Sequence, residues 1–494
     1  MRFATINGML VLQQNDSLPI SKISTIPTQP PVNPEFQYNP ELQQLLTGKQ
    51  LLHADIPHTQ QEIHDHYQNG YITYRKGMDY TGKKPFCTRC GNKDPQWFAV
   101  FPCQRCGETC LYCRKCIMMG RISECTPLIG WNGPSPKTNK PTKIMEWQGK
   151  LSNGQQEASN RVVEAIQQNK QLLVWAVCGA GKTEVLFAGI DAALSAHKRV
   201  CIATPRTDVV LELTPRLKAA FPNITVASLY GGSEDRHLSA PITIATTHQL
   251  LRFYHAFDTV ILDEVDAFPY TVEESLQYAA VNARKPTSAM IYLTATPNAK
   301  WQNECRQGKR AYTTIPARFH RHPLPVPQFN WCGNWQKQLQ KNRFPANILQ
   351  WIKARLQIQK QALLFFPHIR LMEKALPILR RLEPNIEAVH AEDPNRKEKV
   401  QKMRSKEIPL LLTTTILERG VTFPNIDVAV VGAEDGIFTE SALVQIAGRA
   451  GRSAEYPHGN VTFFHYGKTE EMLKARRQII TMNREGIQKG LIDT

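Results

Sequence analysis

Residues 172–194 read LLVWAVCGAGKTEVLFAGIDAAL. An apolar run, Leu172–Val177, enters a short turn carrying Gly179 and Gly181, and a stretch with Val185, Leu186, Ile190 and Leu194 at helical spacing leaves it. Strand, glycine turn and helix in that order make a phosphate cradle, because small residues let backbone N–H groups approach an anion at the positive end of a helix. The cradle expected here comprises Ala176, Val177, Cys178, Gly179, Ala180, Gly181, Lys182, Thr183 and Glu184. Lys182 would reach the β- and γ-phosphates of ATP, and Thr183 would offer its hydroxyl to Mg²⁺. The strict pattern opens on glycine; Ala176 stands in that place.

Downstream, the apolar run Val260–Leu262 ends on Asp263, Glu264, Val265 and Asp266, the tetrad DEVD. Both leading acids then sit at the carboxyl end of a strand, where open α/β sheets hold their ligands. ATP hydrolysis sets two tasks for carboxylates, so Asp263 is read as a Mg²⁺ ligand and Glu264 as the group that polarises the attacking water. A solvated acidic turn would explain neither the strand before the tetrad nor the cradle upstream.

Around these motifs short apolar runs alternate with longer helical stretches, the signature of parallel α/β sheets. Candidate strands are Leu172–Val177, Val200–Ala203, Val260–Leu262 and Ile291–Leu293, and in a second set Leu363–Phe366, Leu410–Thr413, Val428–Val431 and Val461–Phe464. Pro316, Pro323, Pro325 and Pro327 mark a break between the sets, so two α/β lobes joined by a linker are expected. Ahead of them, Trp131–Lys143 (WNGPSPKTNKPTK) reads as another linker. Residues 1 to about 45, polar and punctuated by six prolines from Pro19 to Pro40, read as a loosely structured arm, and HDHYQNGYITYRKG (64–77) as a helix running into a short strand.

Eight cysteines crowd between these parts: Cys87, Cys90, Cys103, Cys106, Cys110, Cys113, Cys116 and Cys125. Thiolates are soft ligands suited to tetrahedral Zn²⁺, and CxxC pairs bring two sulfurs to one ion from a tight turn. CTRCG and CQRCG resemble zinc knuckles. Eight sulfurs suffice for two interleaved ions; one four-cysteine site with spare thiols, or an iron–sulfur cluster, are the other readings, and ligand pairing is not legible from spacing. Metal would fold a segment too small for a core of its own. The neighbouring His53, His58, His64 and His66 are read as solvated helical residues, since the cysteines complete a ligand set. Lys83, Lys84, Arg89, Arg105, Arg114 and Lys115 make the module basic and favour an anionic partner.

Composition bounds the rest. A chain of 494 residues accommodates roughly three domains. With 42% hydrophobic and 21% charged residues, no uncharged apolar run of membrane-spanning length and no signal peptide over Met1–Leu18, a cytoplasmic protein is expected. Attachment to the inner face of the membrane would then come through partners. Lys and Arg exceed Asp and Glu by 60 to 43, which suits a polyanion. Twelve cysteines in an unsecreted chain point to metal rather than disulfides.

The remaining motifs stand in helicase order. Leu151–Gln155 (LSNGQ) resembles the upstream glutamine motif of superfamily 2, in which Gln155 would read the adenine edge. Ala203–Arg206 (ATPR), Gly231 with Gly232, and Thr246–His248 resemble its strand-contacting motifs, and Thr294–Thr296 (TAT) its coupling motif. Thr413–Thr422 (TTTILERGVT) and Gln445–Arg452 (QIAGRAGR) match late motifs, whose arginines imply that Arg449 and Arg452 act as fingers on the γ-phosphate, with Arg419 a weaker candidate. Alanine at the Ala176 position is common in that superfamily.

Together with the cysteine module and CIMMGRISEC (116–125), these motifs resemble the late competence protein ComFA family over about residues 85–470. The resemblance implies two RecA-like parallel-sheet helicase lobes preceded by a small cysteine-rich zinc module. The expected bounds are an arm at 1–80, the module at 81–130, a linker at 131–146, lobe one at 147–315, a linker at 316–335 and lobe two at 336–494. It further implies an ATP- and Mg²⁺-dependent motor on single-stranded DNA, serving DNA uptake in natural transformation. The partners it implies are a ComFC-like phosphoribosyltransferase-domain protein and a membrane DNA-uptake channel; assembly into a homo-oligomer is compatible with it. Three alternatives are weighed. A primosomal replication-restart helicase carries paired cysteines inside the second half of its motor. A DEAD-class RNA helicase would have alanine where Val265 stands. A scaffold using ATP only as a binding switch would not need Glu264 with Arg449 and Arg452.

Overall fold

The computed structural model describes residues 1–12, 17–136 and 143–493. By its internal packing the chain divides into two compact units. One comprises Met1–Gly149, Asn160–Leu172 and Leu186–Tyr292, and the other Lys150–Ser159, Leu173–Val185 and Leu293–Thr494.

The amino-terminal residues are folded, in contrast to the loose arm expected for them. Arg2–Ile6 and Met9–Leu12 form an antiparallel hairpin, with Phe3 opposite Leu12 and Ile6 opposite Met9. Asn7 and Gly8 make its two-residue turn, both at positive φ (49° and 76°), as a turn matching the right-handed twist of a hairpin requires. Pro40 opens the helix Pro40–Leu46 behind an Asn39 cap, where its missing N–H costs nothing. Phe3, Leu10, Ile20, Leu42, Leu46, Ile63, Tyr67 and Tyr74 close a buried apolar cluster. Pro19 ends a short strand, Pro34 lies in a turn and Pro40 starts a helix, all beside a buried core. His64 and His66 lie on the helix Gln60–Gln68 and are buried within this region, not solvated.

The cysteine module is an excursion from this small domain. Ile72–Lys76, before it, pairs antiparallel with Pro127–Trp131, after it. Between them, Met78–Thr81 pairs with Lys84–Cys87, and Phe98–Cys103 with Glu108–Cys113, which also pairs with Ile122–Ser123. The linker expected after Cys125 is displaced, since Trp131 ends a strand; its residues 137–142 lie outside the described residues.

The first lobe's sheet has seven strands in the order Val226–Leu229, Ile242–Thr246, Val200–Thr204, Phe257–Asp263, Arg284–Thr294, Gln171–Ala176, Tyr312–Ile315. Val200–Thr204 runs parallel to both Ile242–Thr246 and Phe257–Asp263. Both Val200–Thr204 and Ile242–Thr246 are buried at every residue, the mark of parallel strands covered on both faces. The second sheet has six strands, Gln328–Trp331, Val461–His465, Ile426–Val431, Gln361–Phe365, Leu410–Thr413, Glu387–Val389, joined throughout by parallel pairings. Trp335, Leu339, Trp351, Leu364, Phe366, Met372 and Leu412 fill the core on one of its faces. The chain is thus two RecA-like α/β lobes behind a cysteine-rich domain. The proline-marked segment 316–335 is not a free linker. Gln328–Trp331 is an edge strand of the second sheet, where a preceding proline is tolerated.

Candidate functional site

The phosphate cradle follows directly from Gln171–Ala176 and opens the helix Lys182–Ser195. Gly179 and Gly181 have φ of +83° and +68°, which only glycine adopts at low cost. A Cβ on Gly181 would also lie 2.4 Å from the Gln155 amide nitrogen. That amide is buried and used at both ends: Nε2 donates to the Ala180 carbonyl at 2.8 Å, and Oε1 accepts from the Ser152 N–H at 2.8 Å. Gln155 thereby holds the cradle in its turn. Thr183 is buried at the start of the helix, and among the described residues Lys182 has no hydrogen-bond or ion-pair partner.

Asp263 closes Phe257–Asp263, and its Oδ1 accepts from the Glu264 N–H at 2.8 Å. Glu264 itself sits at φ +53°, an unusual backbone state for a residue with a side chain and one that concentrates at functional sites. In the same unit Gly231, Gly232 and His248 are exposed, and Arg206 pairs with Asp208 at 2.7 Å.

The late motifs surround the cradle within the second unit. The Cys178 thiol donates to Gln445 Oε1 at 3.1 Å. Trp175 and Gln478 both donate to the Ala295 carbonyl, and the hydroxyls of Thr296 and Ser441 share a 2.8 Å hydrogen bond. Arg449 is buried, and its guanidinium donates to the backbone carbonyls of Glu418 and Val421, so it fastens the QIAGRAGR loop to the TTTILERGVT loop. Arg419 is also buried, donating to Ser441 and facing Glu418 at 3.5 Å. Arg452 is half-buried and, among the described residues, makes no hydrogen bond or ion pair. Sequence reasoning missed Arg318, whose guanidinium reaches the Cys178, Gly448, Ala450 and Gly451 carbonyls. No spacing pattern singles it out.

The eight cysteines resolve into two interleaved groups. Cys87, Cys90, Cys113 and Cys116 bring their sulfurs within 4.8 Å of one another, and so do Cys103, Cys106, Cys110 and Cys125. Sulfur–sulfur distances are 3.8 Å for Cys87–Cys116, 3.7 Å for Cys90–Cys113, 3.5 Å for Cys103–Cys125 and 3.2 Å for Cys106–Cys110. A tetrahedron with metal–sulfur bonds of about 2.3 Å has edges of about 3.8 Å, so each group fits one tetrahedral ion. Without a cation four such thiols cannot all ionise; their mutual hydrogen bonds, first those from Cys113, push Cys87 and Cys90 above the usual thiol range. None of the nearby histidines joins either group among the described residues. Arg89 is buried, donating to the Cys116 sulfur at 3.0 Å and to the Cys116, Met119 and Gly120 carbonyls, so it braces the first group and offers nothing to an external anion.

Comparison with known proteins accords with this division. The Competence protein ComFA N-terminal domain family matches residues 33–130, the family "Type III restriction enzyme, res subunit" matches 148–299, and the helicase conserved C-terminal domain family matches 344–454. Competence protein ComFA of Bacillus subtilis (strain 168) is 48% identical over 453 residues, covering 92% of this chain and 97% of the relative. Competence protein ComFA of Streptococcus pneumoniae is 39% identical over 396 residues, covering 78% of this chain and 90% of the relative. Replication restart protein PriA of Rickettsia prowazekii is 26% identical over 250 residues, covering 46% of this chain and 38% of the relative. With a helicase ATP cradle, the late helicase motifs and a paired-cysteine module all in place, the chain belongs to the competence protein ComFA family.

Proposed function

We propose that this helicase-like ATPase of the competence system is a translocase that pulls on single-stranded DNA during uptake. The observation that carries the reading is that the cradle at Cys178 meets Gln445 directly and, through Arg318, the Gly448–Gly451 turn that precedes Arg452. An ATPase that also needs an arginine from its late motifs can tie turnover to movement of those motifs. In this reading Lys182 takes the β- and γ-phosphates, and Glu264 polarises the water that attacks the γ-phosphorus in line with the departing ADP. Arg452 neutralises charge on the transferring phosphoryl group, while Arg449 keeps the two late loops together. The Thr183 hydroxyl and the Asp263 carboxylate are the oxygen ligands suited to Mg²⁺, which when bound offsets charge on the phosphate oxygens. Gln155 positions the cradle through both ends of its amide.

The exposed Gly231, Gly232 and His248 suit a grip on a sugar–phosphate backbone with little base preference. Each cysteine group would hold one Zn²⁺ in a structural role. No helix among the described residues is long and apolar enough to cross a membrane. Family membership supports a membrane channel and a ComFC-like protein as partners. The test is ATP-driven displacement of streptavidin from a biotinylated DNA single strand. Displacement that requires ATP and is lost in Glu264→Gln supports the translocase. Turnover of ATP with streptavidin left in place on every strand tested would refute it.

A further inference from the structure

Arg318 lies three residues beyond Tyr312–Ile315, the strand parallel to the cradle strand with Ile315 opposite Ala176. The two chains therefore leave the sheet side by side, one into the cradle and one into Arg318. The Arg318 side chain is 2% exposed. Its Nε donates to the Cys178 carbonyl at 3.1 Å, one terminal nitrogen to the Gly448 carbonyl at 3.0 Å, and the other to the Ala450 carbonyl at 2.8 Å and to the Gly451 carbonyl. All four acceptors are backbone carbonyls and none is a carboxylate. Burial pulls the guanidinium down to about 10, with the nearby Arg452 adding to the effect, so it stays charged at neutral pH.

Three of those carbonyls follow the helix Glu440–Ala447, at the end where unsatisfied carbonyls gather and a cation is favoured. The fourth belongs to the ATP cradle. Surrounding geometry leaves no slack: a Cβ on Gly451 would meet the Pro457 carbonyl at 2.3 Å, and one on Gly448 would meet Cys178 at 2.5 Å. Arg452 is the next residue after Gly451.

We infer that Arg318 is a positioning residue for ATP hydrolysis. It fixes the Gly448–Gly451 turn to Cys178 and so sets where Arg452 stands relative to the phosphate cradle. It touches no reacting atom. The inference rests on Arg452 acting as the finger, and the two are separable by experiment.

Steady-state ATPase of the full chain is measured for Arg318→Gln, Arg318→Lys, Arg452→Ala and the Arg318→Gln/Arg452→Ala double variant, with binding of a fluorescent ADP analogue as the second readout. Arg318→Gln is expected to lower kcat at least tenfold, with KM for ATP and ADP-analogue affinity within about threefold of the parent. The double variant should be no slower than Arg452→Ala alone, because residues acting as a unit are not additive. Arg318→Lys keeps the charge but not the fork, and should recover only part of kcat. Additive losses in the double variant, or a weakened ADP analogue with kcat retained, would overturn the positioning role. So would a parental kcat in Arg318→Lys, which decides the matter should Arg318→Gln fail to fold. A parental kcat in Arg452→Ala would instead remove the finger itself.

Discussion

Glu264 is the residue on which the proposed hydrolysis rests most heavily. Its backbone is held at φ +53° directly after the strand that ends on Asp263. Replacing it by glutamine keeps shape and removes the charge proposed to polarise water, so kcat should fall by about a hundred- to ten-thousand-fold while ATP binding persists. Parallel turnover and nucleotide-binding assays check this, and near-parental turnover would assign the water to another group. Lys49 poses the opposite case, a cation held, among the described residues, by carbonyls and not by an acid. It is buried, donating to the Arg236 and Leu238 carbonyls, and burial lowers it to about 7. Between about pH 7 and its ordinary value near 10.5 the unfolded chain holds the proton that the folded chain has released. Stability should therefore rise with pH over that window, and Lys49→Met should flatten the rise in urea titrations at pH 7 and pH 9. The placement of Lys182, Asp263 and Glu264 at the ends of their elements was legible because it depends on local spacing. Lys49 and Arg318 were not, because sequence-distant carbonyls decide what surrounds them.

At the scale of elements, the strands that precede motifs could be read from their apolar runs: Gln171–Ala176, Val200–Thr204, Phe257–Asp263, Leu410–Thr413 and Val461–His465. Tyr312–Ile315 and Gln328–Trp331 escaped notice because edge strands carry polar or exposed residues and the second follows prolines. The Asn7–Gly8 turn between Phe3–Ile6 and Met9–Leu12 was a readable hairpin signal hidden by the prolines after it. In the cysteine module, knuckle spacing was legible but the pairing was not, since it depends on how Phe98–Cys103 lies against Glu108–Cys113. The two groups predict about two metal ions per chain. Cys90→Ser and Cys106→Ser should each lose about one, counted by elemental analysis, and a single ion in the parent protein would contradict the division. Chelation should unfold the module, whose strands have two to six residues, before it affects the lobes. Hydrogen exchange would show protection lost first at 81–125.

For the whole molecule, the excess of 60 basic over 43 acidic residues and the helicase lobes suit the proposed motor, which would hold a polyanion through its backbone. Affinity for a DNA single strand should fall by orders of magnitude between about 50 and 200 mM salt, and vary little with base sequence. Salt-independent binding in a titration would point to base-specific contacts. The most direct test of the central claim is steady-state ATPase activity of the zinc-replete protein, alone and with single-stranded DNA, duplex DNA or single-stranded RNA. Strong stimulation by single-stranded DNA, with duplex and RNA far behind, is the expected result. Stimulation by RNA alone, or by no nucleic acid, would contradict a motor that runs on single-stranded DNA.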